Sequence, residues 1–526
     1  MVIALRSLSA SRTINIFTPI KASHTALLHN IPSTMITRPL FVTLSSLCLA
    51  AATSFTKPHP NSKLRLRQVL VVHRHGDRTP ITPMKDEDYW HQTLPQPHVL
   101  DGIAKGTKLI RPPEGGPKKH GAVGRGPFGQ LTMMGLLQMV SLGERLKEEL
   151  EHYSHHETDN DGDEHHPFVN CGRLFTPEQP LHPSRVRVMS TDFPRTVQSV
   201  QALLTGLFPE EEDIKSPIEI DLQHTNTYFI PDPQPRQYKQ QLALESHLAR
   251  RPHLEEREMK LRQLADRVTE ALDDHLGEGA KGVSFGIGEE KEDADNNDSS
   301  IAATTKTKTA RQKPLAWAQL AEILVCLHSR ELLPPTLSEN DVQAVSDHVA
   351  WRWFENLRHP VLAKSAMWKF ASRLVENMER KARENHPLYD GSSSSTEMEI
   401  VREYEEESIE EPWLCIYSAH DSTLIGLLCV LQLEQPAEWP EYGSAFKAEL
   451  IREEGDDAVL RHWVRFSLNG QVLRSTWLLD ENDQPATMVP LDGLADMIHA
   501  EHALFEDEGT EEGLKYSWKD GLLKEH

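Results

Sequence analysis

Acidic residues are missing from the first 76 positions of this 526-residue chain, the first being Asp77, although the whole chain carries 79 acidic against 56 basic residues. In so acidic a chain that gap marks residues 1–60 as a targeting segment. Met1 to Arg12 (MVIALRSLSASR) has the Arg- and Ser-containing amphipathic character of a mitochondrial presequence. Pro39 to Ser54 (PLFVTLSSLCLAAATS) instead has the apolar core and small-residue ending of a signal peptide, with Met35 as an alternative start. The first reading places the protein in the mitochondrion. The second places it in the secretory pathway, outside the cell or in a lysosome-like compartment. The apolar run is too short for a stable transmembrane span. Cysteine is scarce as well: Cys48, Cys171, Cys326, Cys415 and Cys429 are the whole set, and no disulfide framework follows from them. Positive charge is in deficit, and a net charge of −23 speaks against nucleic acid as a partner. An anionic substrate therefore has to be held by a local basic pocket.

One stretch supplies such a pocket. Residues 68–72 (QVLVV) are a β-favouring apolar run that leads into His73-Arg74-His75-Gly76-Asp77-Arg78-Thr79-Pro80, a buried strand entering a tight cationic loop. In open α/β sheets ligands bind beyond the carboxyl ends of the strands, which puts this loop in the cleft. Arg74 and Arg78 present planar forks of donors suited to phosphate oxygens, and Gly76 lets backbone approach a ligand. His75, kept neutral by those cations, is a nucleophile toward phosphorus. The Arg-His-Gly tripeptide alone arises by chance in roughly one chain of this length in twenty, so the weight rests on the full Arg-His-Gly-x-Arg-x-Pro pattern after a strand.

On those residues the chain resembles the histidine acid phosphatases, a branch of the superfamily that includes the phosphoglycerate mutases. Two later motifs extend the resemblance in the family's order. Val186 to Met189 is a short strand opening into Ser190-Thr191-Asp192-Phe193-Pro194-Arg195-Thr196, followed by a helix with Val197, Val200, Leu204 and Leu207 inward. An arginine at a helix start is most often surface charge, but in the family's second motif it is a phosphate ligand, a role the resemblance gives to Arg195. Trp413 to Tyr417 is a third strand, ending in Ser418-Ala419-His420-Asp421. The family's distal His-Asp implies that His420 donates to the phosphate and that Asp421 protonates the leaving oxygen, because a phosphomonoester otherwise expels an alkoxide.

Between and beyond the motifs the chain is plainer. Asp86 to Arg125 is rich in Gly, Pro and Lys, shows no period and reads as a long loop near the cleft. A helix capped by Thr132 follows, with Leu136, Met139, Val140, Gly143, Leu146 and Leu150 on its packing face. The His-rich tract from His152 to His166 has neither helical nor zinc-site spacing and reads as a solvated loop. Residues 213–386 read as a mostly helical cap inserted into the core, with a low-complexity, disordered insert over 277–313. One cap helix begins at Pro360 and carries Ala363, Met367, Phe370, Leu374 and Met378 on one face. An acidic insert covers 387–411. Val464 to Leu473 reads as a hairpin about Asn469-Gly470, and 501–526 as a C-terminal tail.

The resemblance, covering about residues 66–500, implies an α/β fold of the phosphoglycerate mutase kind: a mixed, mainly parallel central sheet flanked by helices, contributed by 66–212 and 412–500, with the helical cap above it. It implies an acid phosphatase acting through a phosphohistidine on His75. Arg74, Arg78, Arg195 and His420 hold the phosphate, and neither metal nor cofactor is required because the arginines neutralise the oxygens. Within the family the likeness leans toward the lysophosphatidic acid phosphatases, through GQLTMMGLLQMVSLGERLKEEL (129–150) and LLTGLF (203–208), so a lysophospholipid is the expected substrate. The phytases and secreted acid phosphatases that depend on several disulfides fit the cysteine content less well. A mutase or phosphotransferase, a phytase and an inactive phosphate-binding scaffold stay open as alternatives. Oligomeric state is not legible.

Overall fold

Alternating apolar residues on the first strand face two different layers, and the whole architecture follows from that division. The computed structural model describes residues 57–59, 62–110, 124–151, 174–175, 180–209, 216–223, 229, 231, 241–280, 314–384, 411–434, 438–454, 460–480 and 483–499. Residues 1–56 and 60 of the targeting segment, the His-rich tract 152–166, residues 281–313 of the low-complexity insert, the acidic insert up to 410 and the C-terminal tail lie outside the described residues.

The strands are β1 (Lys63–Arg74), β2 (Thr107–Ile110), β3 (Val186–Thr191), β4 (Ile218–Gln223), β5 (Leu414–Ala419), β6 (Ala445–Glu454), β7 (Arg461–Leu468), β8 (Gln471–Leu473) and β9 (Met488–Pro490). The helices are α1 (Glu87–Gln92), α2 (Pro97–Ala104), α3 (Met133–Glu151), α4 (Pro194–Leu207), α5 (Gln241–Leu272), α6 (Trp317–His328), α7 (Glu339–Leu357), α8 (Pro360–Arg383), α9 (Asp421–Val430) and α10 (Leu491–His499). One sheet takes all the strands in the order β2-β4-β3-β5-β1-β6-β7-β8, with β9 also on β7. The expected mixed sheet is present. Its ladders are parallel from β2 through β4, β3 and β5 to β1, and antiparallel from β1 through β6 and β7 to β8 and β9. Antiparallel pairing thus takes a larger share than the expected mainly parallel arrangement.

Leu70 and Val72 point into one core and Val69 and Val71 into the other, as the two-residue period of a strand requires. Leu64 and Leu66 share the layer of Val69 and Val71 despite their opposite parity, because the register against β6 shifts between Leu66 and Gln68. A bulge adds one residue and returns the following side chains to the correct face. Helices α3 and α4 cover the Val69 side, and α8, α9 and α10 the Leu70 side. The Ala363, Met367, Phe370, Leu374 and Met378 stripe of α8 packs with Leu70, Val72 and Tyr417 of the sheet. Helices α5, α6 and α7 build a separate core with Met84, Trp90 and Phe128.

Three local expectations change. The stretch 86–125 is not a continuous loop: it holds α1, capped by Asp86, α2, started by Pro97, and β2. Ile218–Gln223, inside the stretch read as helical, is a strand between β2 and β3, and its apolar residues Ile218, Ile220 and Leu222 are the buried ones. The start of the low-complexity insert is ordered as well, since the Gly277 N–H donates to Pro83 O at 2.8 Å and Ala280 is buried. The hairpin forms at Asn469 (φ 50°) and Gly470 (φ 84°), the pair of positive φ angles that a two-residue turn uses.

Candidate active site

Strand β1 delivers its loop into a slot between two helices. The Arg74 N–H donates to Ser444 O at 2.9 Å and the His75 N–H to Ala419 O at 3.2 Å, so the β1 ladder still holds the backbone as the loop begins. Gly76 then passes against α3, where a Cβ on Gly76 would sit 2.3 Å from Gly135 O and one on Gly135 would sit 2.1 Å from Asp77 O. Only glycine at both places allows that approach. The Gly76 N–H donates to Ser199 Oγ on α4 at 3.1 Å, and the Asp77 N–H to Gln138 Oε1 on α3 at 2.9 Å. Thr132 caps α3 as expected, accepting the Gly135 N–H at 3.1 Å.

Three further motif side chains meet this loop. Arg195 is the second residue of α4, behind Pro194, with its guanidinium 4.4 Å over the Phe193 ring. His420 precedes α9, its ring 5.7 Å from that of His75 and 5.1 Å from Phe193, and its Nε2 is 3.2 Å from Thr191 Oγ1. Asp421 is the first residue of α9, where the helix dipole favours a carboxylate. Arg74 forms an ion pair with Asp421, Nη2 to Oδ2 at 2.9 Å, and donates from Nη1 to Pro440 O at 2.5 Å, with its guanidinium 4.1 Å over the Tyr442 ring. All six residues expected at the site from the three motifs, Arg74, His75, Arg78, Arg195, His420 and Asp421, therefore gather at the carboxyl ends of β1, β3 and β5.

The chemistry of the cluster follows from its burial. His75 Nδ1 is 2.9 Å from Gly76 O, and a carbonyl only accepts, so Nδ1 carries the proton and the lone pair lies on Nε2. Burial first, then Arg195, Arg74, His420 and Arg78, push the His75 pKa well below its ordinary value and keep the ring neutral. His420 is pushed down to about 3 by burial and the same arginines. Burial and the nearness of Arg78 and Arg74 bring even Arg195 down to about 9, with Asp421 opposing. Three buried guanidiniums gathered at one place suit an anion, and among the described residues Arg74 Nε and Arg78 Nε are buried donors without a protein acceptor. Asp421 is the exception. Burial works to raise its carboxyl, yet Arg74, His420, the Ser422 N–H at 2.7 Å and Trp439 hold it below the usual range.

Over residues 65–469 the chain matches the histidine phosphatase superfamily (branch 2). It belongs to that superfamily. It is a phosphoric monoester hydrolase of the histidine acid phosphatase kind. Counting factor 60 of Dictyostelium discoideum is 24% identical over 78% of this chain and 80% of its own length. Lysosomal acid phosphatase of Homo sapiens is 23% identical over 77% of this chain and 72% of its own. Lysophosphatidic acid phosphatase type 6 of Homo sapiens is 31% identical over 29% of this chain and 33% of its own. Among solved structures, the Hafnia alvei phytase in complex with myo-inositol hexakis sulphate is 15% identical, covering 84% of this chain and 98% of that one at a TM-score of 0.45.

Several residues around the site of this histidine phosphatase carry no motif. Glu322 of α6 accepts Arg78 Nη1 at 3.0 Å and the N–H groups of Ile81 and Thr82 at 2.9 Å each. Arg330 binds the Asp77 carboxylate, which also takes the Thr132 hydroxyl, and lies over Trp90. Trp439 donates from Nε1 to Asp421 Oδ2 at 2.9 Å. Among the described residues no group of three or more His, Cys, Asp or Glu is arranged to hold a metal ion. Cys326, Cys415 and Cys429 are buried, and no described helix is long and apolar enough to cross a membrane.

Proposed function

We propose that this chain hydrolyses phosphate monoesters in two steps through a phosphohistidine on His75, with Asp421 as general acid and then general base. The observation that carries the reading is the His75 Nδ1–H bond to Gly76 O, which leaves the lone pair on Nε2 of a neutral ring influenced by Arg195, Arg74 and Arg78. In the first step the Nε2 lone pair forms the N–P bond as the ester P–O bond breaks, and the departing oxygen takes its electron pair and the Asp421 proton. In the second, the Asp421 carboxylate draws a proton from water as the water oxygen bonds phosphorus and the N–P pair returns to His75. The arginines and His420 stabilise the charge on the three outer oxygens in both steps.

The depressed Asp421 carboxyl sets the working range. It must carry a proton to start the first step, so activity rises as pH falls, while His75 stays neutral and nucleophilic. A phosphate dianion arriving among the arginines weakens the hold of Arg74 on Asp421 and raises its proton affinity, so binding prepares the acid.

For the substrate we propose a monoester with one phosphate and an apolar tail, lysophosphatidate being the first to test. The 31% identity to lysophosphatidic acid phosphatase type 6 over 29% of this chain supports this. For the compartment, the lysosomal names among the relatives support the signal-peptide reading of the targeting segment, and nothing in them supports the mitochondrial one. Initial rates of the purified protein on lysophosphatidate, glycerol 3-phosphate, phytate and 3-phosphoglycerate test the substrate. We expect lysophosphatidate to have the highest kcat/KM, each buried methylene adding about 0.8 kcal/mol. Preference for phytate or glycerol 3-phosphate would remove the lipid assignment and leave the phosphatase chemistry intact.

A further inference from the structure

Trp439 stands where the motifs leave off. It lies on the segment between α9 and β6, half-buried, with its ring packed against the apolar core of α5, α6 and α7. Its Nε1–H reaches the catalytic acid at 2.9 Å. The next residues are tied to the first motif: Pro440 O accepts from Arg74, Tyr442 lies under the Arg74 guanidinium, the Gly443 N–H donates to His75 O at 3.1 Å and Ser444 O accepts the Arg74 N–H. The segment therefore touches the nucleophile, the acid and the arginine between them.

We propose that Trp439 is a positioning residue for proton transfer: its indole N–H bond and the ion pair with Arg74 both engage Asp421 Oδ2, so that the transferable proton resides on Oδ1 and its release is set by a bond anchored in the helical core. The inference rests on the reading of Asp421 as the acid and adds the atom that reacts and the residue that sets its strength. Oδ2 accepts the Trp439 Nε1–H at 2.9 Å and forms an ion pair with Arg74 Nη2, also at 2.9 Å. Oδ1 takes the Ser422 backbone N–H at 2.7 Å, which fixes the plane of the carboxyl group. A proton on Oδ2 would have to displace a donor, whereas one on Oδ1 leaves every bond in place. The leaving oxygen thus takes its proton from Oδ1, and the electron pair of that O–H bond stays with the carboxylate. The charged and titratable groups facing Asp421 are Arg74 from β1, Arg195 from α4 and the adjacent His420. A Trp439 substitution changes none of these residues, so the side-chain contact of Trp439 adjusts the acid without replacing a phosphate ligand.

The experiment compares pH profiles of kcat/KM for an alkyl and an aryl phosphate in the wild type, Trp439→Phe, Trp439→Leu and Asp421→Asn. The substrate titrates identically in all four, so differences between profiles belong to the enzyme. Removing a donor to the carboxylate raises the pKa of Asp421, so its protonated form persists to higher pH. Both Trp439 variants should move the alkaline limb for the alkyl ester upward by about one pH unit, with KM for the aryl ester within about twofold of wild type, because the arginines are untouched. A limb that stays in place while rates fall equally at every pH would show a merely structural contact and overturn the proposal. Asp421→Asn separates the two levels of the argument: losing more rate on the alkyl than on the aryl ester upholds the acid whatever Trp439 does, and equal loss on both sinks the acid and this inference together.

Discussion

Glu322 and Arg78, 244 residues apart in sequence, form a buried ion pair at 3.0 Å whose side chains are 4% and 6% exposed. The same carboxylate accepts the backbone N–H groups of Ile81 and Thr82, so one residue of α6 fixes both an arginine proposed to bind phosphate and the loop behind it. Breaking a buried pair from one side leaves an uncompensated charge, at a cost of roughly 3–5 kcal/mol. Glu322→Ala should lower the unfolding free energy by about that much and weaken inhibition by inorganic phosphate severalfold, measured by denaturant titration and by product inhibition. A loss under about 1 kcal/mol would mean that the loop holds Arg78 without its partner.

Asp421→Asn removes the proposed proton donor but keeps the shape and an acceptor oxygen for Trp439. An aryl oxide departs with less help than an alkoxide, so the variant should lose about 10²–10⁴-fold on alkyl phosphates and much less on an aryl phosphate. Steady-state rates on the two ester types decide it.

Buried neutral histidines give the fold a sign-definite response to acid. His73, His348 and His420 are held at about 4, 3 and 3, burial being the largest cause in each. In the unfolded chain they take up protons near the ordinary value of about 6.5. Below that value the unfolded state therefore binds more protons than the native one, and stability falls as pH falls from about 6.5 toward 3–4. By pH 5.5 each histidine contributes about 1.4 kcal/mol to that loss. Denaturant unfolding of the ligand-free protein at pH 7 and 5.5 should show a clear drop, and equal stability would contradict these burial assignments.

The three motif loops were legible because each is contiguous: a strand, a turn and a reactive side chain within a dozen residues. The order β3-β5-β1 then brings their ends together without further information from the sequence. Glu322, Arg330, Trp439 and Tyr442 were not legible because each is a single residue whose partner lies over 100 positions away or beyond a chain reversal. Stretch 86–125 misled through its Gly and Pro content, which hides helices of six and eight residues and a four-residue strand that exists only because β4 pairs with it. The period-two pattern of Ile218-Glu219-Ile220-Asp221-Leu222 was a readable strand signal, masked by the helical segments that follow it.

The central claim is a covalent phosphate on His75, and trapping it is the most direct test. Rapid acid-free denaturing quench of the enzyme with a phosphorus-labelled aryl ester, followed by digestion and mapping, should place a base-stable, acid-labile label on the peptide containing His75. The label should be absent from His75→Ala, which should also lack turnover. A label on an aspartate, or a wild-type enzyme that turns over with no labelled peptide during the burst, would contradict the account and point to direct attack by water.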